Sequence, residues 1–262
     1  MLKPFTIATY NVNSIRSRLH ILLPWLETHR PDVFCMQETK VDDVRFPADA
    51  FTNLGYHCIF RGAKQYNGVA IASLAEPEAV RSGFSDGGAP DDDRLLCGIF
   101  DGVAVVNAYV PQGRDRESEH FAYKLAWFQR LKTFLAAHYS PAQPLVCCGD
   151  LNCAREAIDV HDPKRLRGHV CFTPEVWDAF DALTAWGLKD LLRRHHPGEA
   201  NLYTFFDYRV PRSLERGLGW RIDHLLVTAP LAERSLGCRI DLEPRRAEKP
   251  SDHTILIGEF RR

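Results

Sequence analysis

Apolar runs rich in β-branched residues recur along the chain at 5–12, 33–38, 68–73, 95–100, 102–110, 144–151, 221–228 and 254–260. Runs of this length and composition, broken by turn-forming and charged residues, predict strands. Between them, apolar positions at three- and four-residue spacing predict helices over 14–29, 117–138 and 173–187. In the last of these Thr173 occupies the N-cap position, Pro174 opens the first turn and Gly187 marks a stop. The runs 95–100 and 102–110 flank Asp101-Gly102, a hairpin signal, so the strands cannot all be parallel. A mixed α/β fold follows, with two sheets packed together and helices outside. The loop at 85–94 is polar and turn-rich, but no Pro/Ser/Gly linker divides the chain and no internal repeat is evident, so residues 1–262 are expected to form one domain.

Composition adds bounds rather than identity. With 45% hydrophobic and 26% charged residues the chain has the make-up of a soluble globular protein. No segment reaches the roughly 18 apolar residues of a membrane span. The N-terminal MLKPFTIATYNV has neither a long apolar region nor a small-residue cleavage site, which predicts a cytoplasmic address. The eight cysteines form no CxxC pair and several sit inside apolar runs, so they read as buried free thiols. A formal net charge of -1 argues against binding nucleic acid by bulk charge and leaves a local basic face open.

The strand ends change the picture. Asn11 and Asn13 follow the first run, Glu38 the second, Asn107 and Tyr109 lie in the fifth, Asp150 and Asn152 end the sixth, Asp223 sits in the seventh, and Asp252-His253 precede the last. Any one of these reads equally well as a turn former. Together, on strands lying side by side, they would place hard oxygen donors, a histidine and a phenol on one rim, where Mg²⁺ and a phosphate could be held.

The blocks TYNVNSIR (9–16), PDVFCMQETK (31–40), YNGVAIAS (66–73), NAYVPQG (107–113), GDLN (149–152), FFDYR (205–209), GWRIDHLLV (219–227) and EKPSDHT (248–254) carry a resemblance, in order and spacing, to the exonuclease III family of AP endonucleases. That family lies within the endonuclease/exonuclease/phosphatase superfamily, which includes DNase I-like enzymes. The resemblance implies a four-layer α/β sandwich and Mg²⁺-dependent hydrolysis of DNA phosphodiesters, with Mn²⁺ able to substitute. It assigns Glu38 as the principal metal ligand, with Asn11, Asp252, Asp150 and Asn152 in the metal set. Asp150 would orient or deprotonate water and Asn152 stabilise the transition state. Asp223 would hold His253 against the scissile phosphate, and Tyr109 would contact the same phosphate. Arg16, Tyr66, Arg94 and Gln112 would contact the DNA backbone, and Phe205, Trp220 and Ile222 would form an apolar pocket for a flipped-out abasic sugar.

Basic residues in 161–169, with Arg209, Arg212 and Arg216, supply local positive charge that the net value conceals. Ser14 stands where the family usually has glycine, and Cys171 lies in a loop facing the expected pocket. The expected substrate is duplex DNA with abasic sites or 3′ ends, acted on by a monomer. The rival readings are a superfamily phosphatase acting on a small molecule or lipid head group and a catalytically dead DNA-binding module.

Overall fold

The computed structural model describes residues 3–262. The strands are β1 (Phe5–Asn11), β2 (Val33–Gln37), β3 (His57–Arg61), β4 (Val69–Ser73), β5 (Val80–Ser82), β6 (Leu95–Phe100), β7 (Val103–Tyr109), β8 (Leu145–Asp150), β9 (Leu188–Asp190), β10 (Asp223–Thr228), β11 (Ser235–Asp241) and β12 (Ile255–Phe260). The helices are α1 (Ile15–His29), α2 (Ala48–Thr52), α3 (Glu119–His138), α4 (Pro163–Leu166), α5 (Pro174–Thr184), α6 (Leu191–His195), α7 (Ala229–Glu233) and α8 (Glu243–Arg246).

The strands form two six-stranded sheets, ordered β11-β12-β1-β2-β4-β3 and β5-β6-β7-β8-β10-β9. Both are mixed: β1 pairs parallel with β2 and β7 with β8, whereas the other neighbours are antiparallel. The unbroken apolar runs have a simple cause. Alternate residues of a strand face opposite sides, and both faces of the central strands are buried. In β8, Val146 and Cys148 enter the core between the sheets, while Leu145 and Cys147 enter the core beneath α3 and α5. In β2, Val33 and Cys35 face the other sheet, while Phe34 and Met36 pack against α1. The order helix, sheet, sheet, helix follows, and all eight cysteines are free.

Local signals explain the boundaries. Asp101 and Gly102 both adopt positive φ, 49° and 72°, as a tight two-residue hairpin turn between β6 and β7 requires. Thr173 Oγ1 accepts the Val176 N–H at the start of α5. That helix ends at Thr184, so Gly187, at φ 130°, belongs to the turn into β9 rather than to the helix stop. β3, β5, β9 and β11 carry no clear sequence signal. β3 and β11 are edge strands with partly exposed, charged faces, and β5 and β9 have three residues each.

Candidate active site

Pairing register brings the polar strand ends together. Tyr109 lies opposite Asp150 in the β7–β8 pair, and Asp150 lies opposite Asp223 in the β8–β10 pair, so the three form one cross-strand row. The second sheet contributes Asn11 at the end of β1, Glu38 just past β2, and Asp252-His253 just before β12. Gly149 makes the row possible: a Cβ there would sit 2.1 Å from the Ala108 carbonyl oxygen, and its φ of 128° suits glycine. Two turns carry further constraint, with Glu38 at φ 52° and Asn152 at φ 49°. Left-handed backbone at non-glycine residues costs of order 1 kcal/mol or more each and clusters at functional sites.

The hydrogen bonds connect the two sheets. Asn11 Nδ2 donates to Glu38 Oε1 at 2.8 Å and to Asp150 Oδ2 at 2.9 Å, while its Oδ1 accepts the Asn13 N–H. The amide therefore bridges two carboxylates rather than offering its oxygen to the cavity. Asp150 Oδ1 accepts the Asn152 N–H at 2.9 Å, and Asn152 Nδ2 donates to the Val110 carbonyl at 3.0 Å. His253 Nδ1 is 2.8 Å from Asp223 Oδ2, and its Nε2 is 3.8 Å from Asp150 Oδ2. Asp252 Oδ1 accepts from Asn13 Nδ2 at 2.9 Å.

Electrostatics divides the carboxylates by role. Burial raises the Asp150 carboxyl to about 7; His253 pulls it down, whereas Asp223 and Glu38 push it further up. Burial also opposes a charge on His253, but Asp223 and Asp150 outweigh it and raise the imidazole to about 10. Burial likewise opposes charge on Glu38, yet Lys40, Asn11 and His253 hold it below the usual carboxylate range. Burial, then Glu38 and Asp150, push the Tyr109 phenol well above its ordinary value, so it is a neutral donor.

Two groupings could hold a cation. Asp150, Asp223 and His253 have ligand atoms within 4.8 Å of one another. A protonated His253 already occupies the position between those carboxylates, so this trio is better described as an ion-paired acid and base. The other grouping is Glu38 with Asp252 at the cavity rim. Here the Lys40 Nζ rests 2.8 Å from Glu38 Oε2 and also donates to Asn13 Oδ1. An ionised, accessible carboxylate with further oxygen donors nearby suits a hard divalent cation that keeps most of its waters.

The cavity at this rim measures about 760 Å³ and is lined by Glu38, Tyr109, Asp150, Asn152, Asp252 and His253. Phe205, Trp220 and Ile222 also line it, with the Phe205 ring 5.0 Å from His253. The cavity is less apolar than expected, because His161, His169, Arg165, Arg209 and Arg216 also line it. Gln112 touches this cavity and an adjoining one of about 400 Å³ that contains Lys40, Tyr66, Arg94 and Arg114. Arg94 stacks 4.7 Å over the Tyr109 ring, while Tyr66 is 72% exposed. Arg16 lines neither cavity, and its guanidinium donates to the Arg45 carbonyl. Arg212 is exposed outside both. Lys40 and Lys124, to which the sequence assigns no role, both touch the site; Lys40 is the last residue of the PDVFCMQETK block.

The chain belongs to the Endonuclease/Exonuclease/phosphatase family, whose profile matches residues 8–253. It is 34% identical to exodeoxyribonuclease III of Haemophilus influenzae over 97% of this chain and 98% of that one. An AP endonuclease from Archaeoglobus fulgidus superposes with a TM-score of 0.95 at 51% identity, covering 98% of this chain and 99% of the other. The 3′ phosphatase NExo from Neisseria, solved bound to a product DNA hairpin, superposes at 0.93 and 37% identity, covering 98% and 99%. The chain is accordingly an enzyme, a hydrolase of the nuclease kind.

Proposed function

We propose that this chain is a Mg²⁺-dependent DNA repair nuclease that hydrolyses the phosphodiester 5′ to abasic sites in duplex DNA and removes nucleotides or blocking groups from 3′ ends. The observation that carries the reading is the Tyr109–Asp150–Asp223 row, with His253 held between two of its carboxylates and Glu38 tied to Asp150 through Asn11. Mn²⁺ is expected to substitute for Mg²⁺.

The chemistry follows from these groups. Asp150, with a carboxyl near neutrality, is suited to take a proton from a water aligned for in-line attack on phosphorus. The bond to the 3′ oxygen of the preceding nucleotide breaks, and that oxygen takes a proton from solvent water, leaving a 3′-hydroxyl and a 5′-deoxyribose phosphate. Protonated His253, the Asn152 amide and the neutral Tyr109 phenol are donors for the oxygens on which charge accumulates. Glu38 and Asp252 would hold the cation, with Asn11 fixing the Glu38 carboxylate. The bound cation would supply Lewis-acid charge at the phosphate.

Substrate contacts divide along the two cavities. Arg94, Tyr66 and Gln112 would position the backbone without reading sequence. Phe205, Trp220 and Ile222 would line the pocket for the extruded sugar, and the surrounding arginines would hold flanking phosphates. Among the described residues no helix is long and apolar enough to cross a membrane. A monomer acting on chromosomal DNA in the cytoplasm, with residues 1–262 as one domain, completes the proposal.

The test is direct. Purified protein with Mg²⁺ is incubated with matched duplexes carrying an internal abasic analogue, a 3′-phosphate or a plain recessed 3′ end. Cleavage of at least one, abolished by chelator, is expected. Turnover of inositol phosphates with no action on any duplex would overturn the reading in favour of a small-molecule phosphatase.

A further inference from the structure

Lys124 is a charged side chain with no counter-charge. It projects from α3, is fully buried, and takes no part in the lysine ion pairs found among the described residues, which involve Lys40 and Lys249. Its Nζ instead donates to three backbone carbonyls: Asn152 at 2.7 Å, Val170 at 2.6 Å and Gln112 at 3.2 Å. Burying an ammonium is costly unless its donors are all satisfied, and here three loops supply one carbonyl each.

Those loops are the ones that build the site. Gln112 ends the segment after β7 and faces both cavities. Asn152 stands in the loop after β8 at φ 49°, with its carbonyl turned to the Lys124 ammonium. Val170 precedes Cys171, whose Sγ lies 3.6 Å from Asn152 Oδ1 and 3.9 Å from the Lys124 Nζ. With its carbonyl on Lys124, its N–H on Asp150 and its amide Nδ2 on Val110, Asn152 is tethered through backbone and side chain at once.

We propose that Lys124 is a positioning residue for the nuclease site, a buried cation that fixes the Asn152 turn and the Val170–Cys171 wall against the 112 loop, as a structural metal ion would. This rests on the nuclease reading above, in which Asn152 touches the reacting phosphate. Lys124 itself meets no substrate. Because Asn152 would serve internal and terminal phosphates alike, losing its anchor should lower turnover on both.

The experiment compares Lys124→Met, Lys124→Gln and Lys124→Arg with the parent and with Asn152→Ala. Turnover is measured at a temperature where near-ultraviolet circular dichroism shows each protein folded. Parent activity with loss in Asn152→Ala establishes the underlying reading independently. Lys124→Met is then expected to lose at least tenfold in kcat on both abasic and 3′-phosphate duplexes, with KM within threefold. Lys124→Arg, which keeps charge and donors, should recover more than Lys124→Gln. Hydrogen exchange of Lys124→Met without DNA or metal should accelerate in 111–114, 151–154 and 169–172 and stay unchanged in β1 and β2. If Lys124→Met does not fold, the Gln–Arg pair and its exchange pattern decide. Parental kcat in Lys124→Met, equal recovery by Gln and Arg, or uniform acceleration of exchange would each overturn the proposal.

Discussion

Asp223 and His253 link the two sheets at the catalytic rim, with carboxylate oxygen and imidazole Nδ1 2.8 Å apart and both side chains buried. The pair fixes which nitrogen of the ring faces Asp150. It also fixes the charge, because the carboxylates overcome the burial that would otherwise keep the imidazole neutral.

The first prediction concerns pH and stability. The folded value of His253 is raised from 6.5 to about 10, so the folded state binds the extra proton more tightly than the unfolded chain does. The resulting stabilisation is complete below pH 6.5 and is lost as pH rises through 10. In chelator, the difference in melting temperature between parent and His253→Gln should be largest near pH 6 and shrink steadily toward pH 10. A difference that stays constant across this range would mean that the folded ring carries no raised affinity for its proton.

Asp150 gives the complementary case. Its carboxyl is raised from 3.8 to about 7, chiefly by burial, so its ionisation destabilises the fold as pH climbs through that range. Asp150→Asn should lower turnover by at least about 10³-fold, as expected for loss of a positioned general base. At the same time it should melt higher than the parent at pH 8 in chelator, with the gain vanishing near pH 4. A variant less stable than the parent at pH 8 would show that attraction to His253 outweighs the cost of burial.

The contrast between what the chain announces and what it conceals is physical. The eight signalled strands fall near their observed positions because buried central strands must be apolar on both faces, a pattern visible without partners. Edge strands β3 and β11 carry charged residues such as Arg61 and Arg239 on solvent-facing sides, and that disguises them. The site was legible as strand ends, since acids and amides at the close of apolar runs are conspicuous. Their mutual register was not: only pairing sets Tyr109, Asp150 and Asp223 in one row. Lys124 was concealed for a different reason. On a helix it looks like any solvated lysine, and its three carbonyl partners come from three separate loops, 12, 28 and 46 residues away.

Ser14 offers a test of stored strain. It sits just before α1 at φ 85° and ψ 101°, makes no side-chain cap to the helix, and holds its position through its N–H on the Glu38 carbonyl at 2.8 Å. A non-glycine residue there costs about 1–3 kcal/mol, while glycine gives back roughly 0.5–1 kcal/mol through a freer unfolded chain. Ser14→Gly should therefore stabilise the protein by about 1 kcal/mol, read as a higher urea midpoint at unchanged slope. A lowered midpoint would show that the contact between the Ser14 and Ser17 hydroxyls, 3.1 Å apart, outweighs the backbone strain.

Glu38 tests the metal half of the proposed mechanism. Its carboxylate is held ionised and is reachable from the cavity, and Lys40 and Asn11 orient its two oxygens. A Mg²⁺ that keeps several waters depends heavily on the few carboxylates it does bind, so removing this one should be felt in affinity before it is felt elsewhere. Glu38→Ala should raise the half-saturating Mg²⁺ concentration at least tenfold, or about 1.4 kcal/mol. Lys40 should in turn lose its anchor. The checks are a metal titration of DNA cleavage and calorimetric binding of Mg²⁺ or Mn²⁺ without DNA. Asp223→Asn is the control, because it disturbs His253 without touching the rim carboxylates and should leave metal affinity within about threefold of the parent. If both variants shift the titration equally, the cation sits in the Asp150–Asp223–His253 cluster and Glu38 acts only by orienting Asn11. A selective effect of Glu38→Ala instead places it in direct contact with the metal, beside the water-activating Asp150 to which Asn11 ties it.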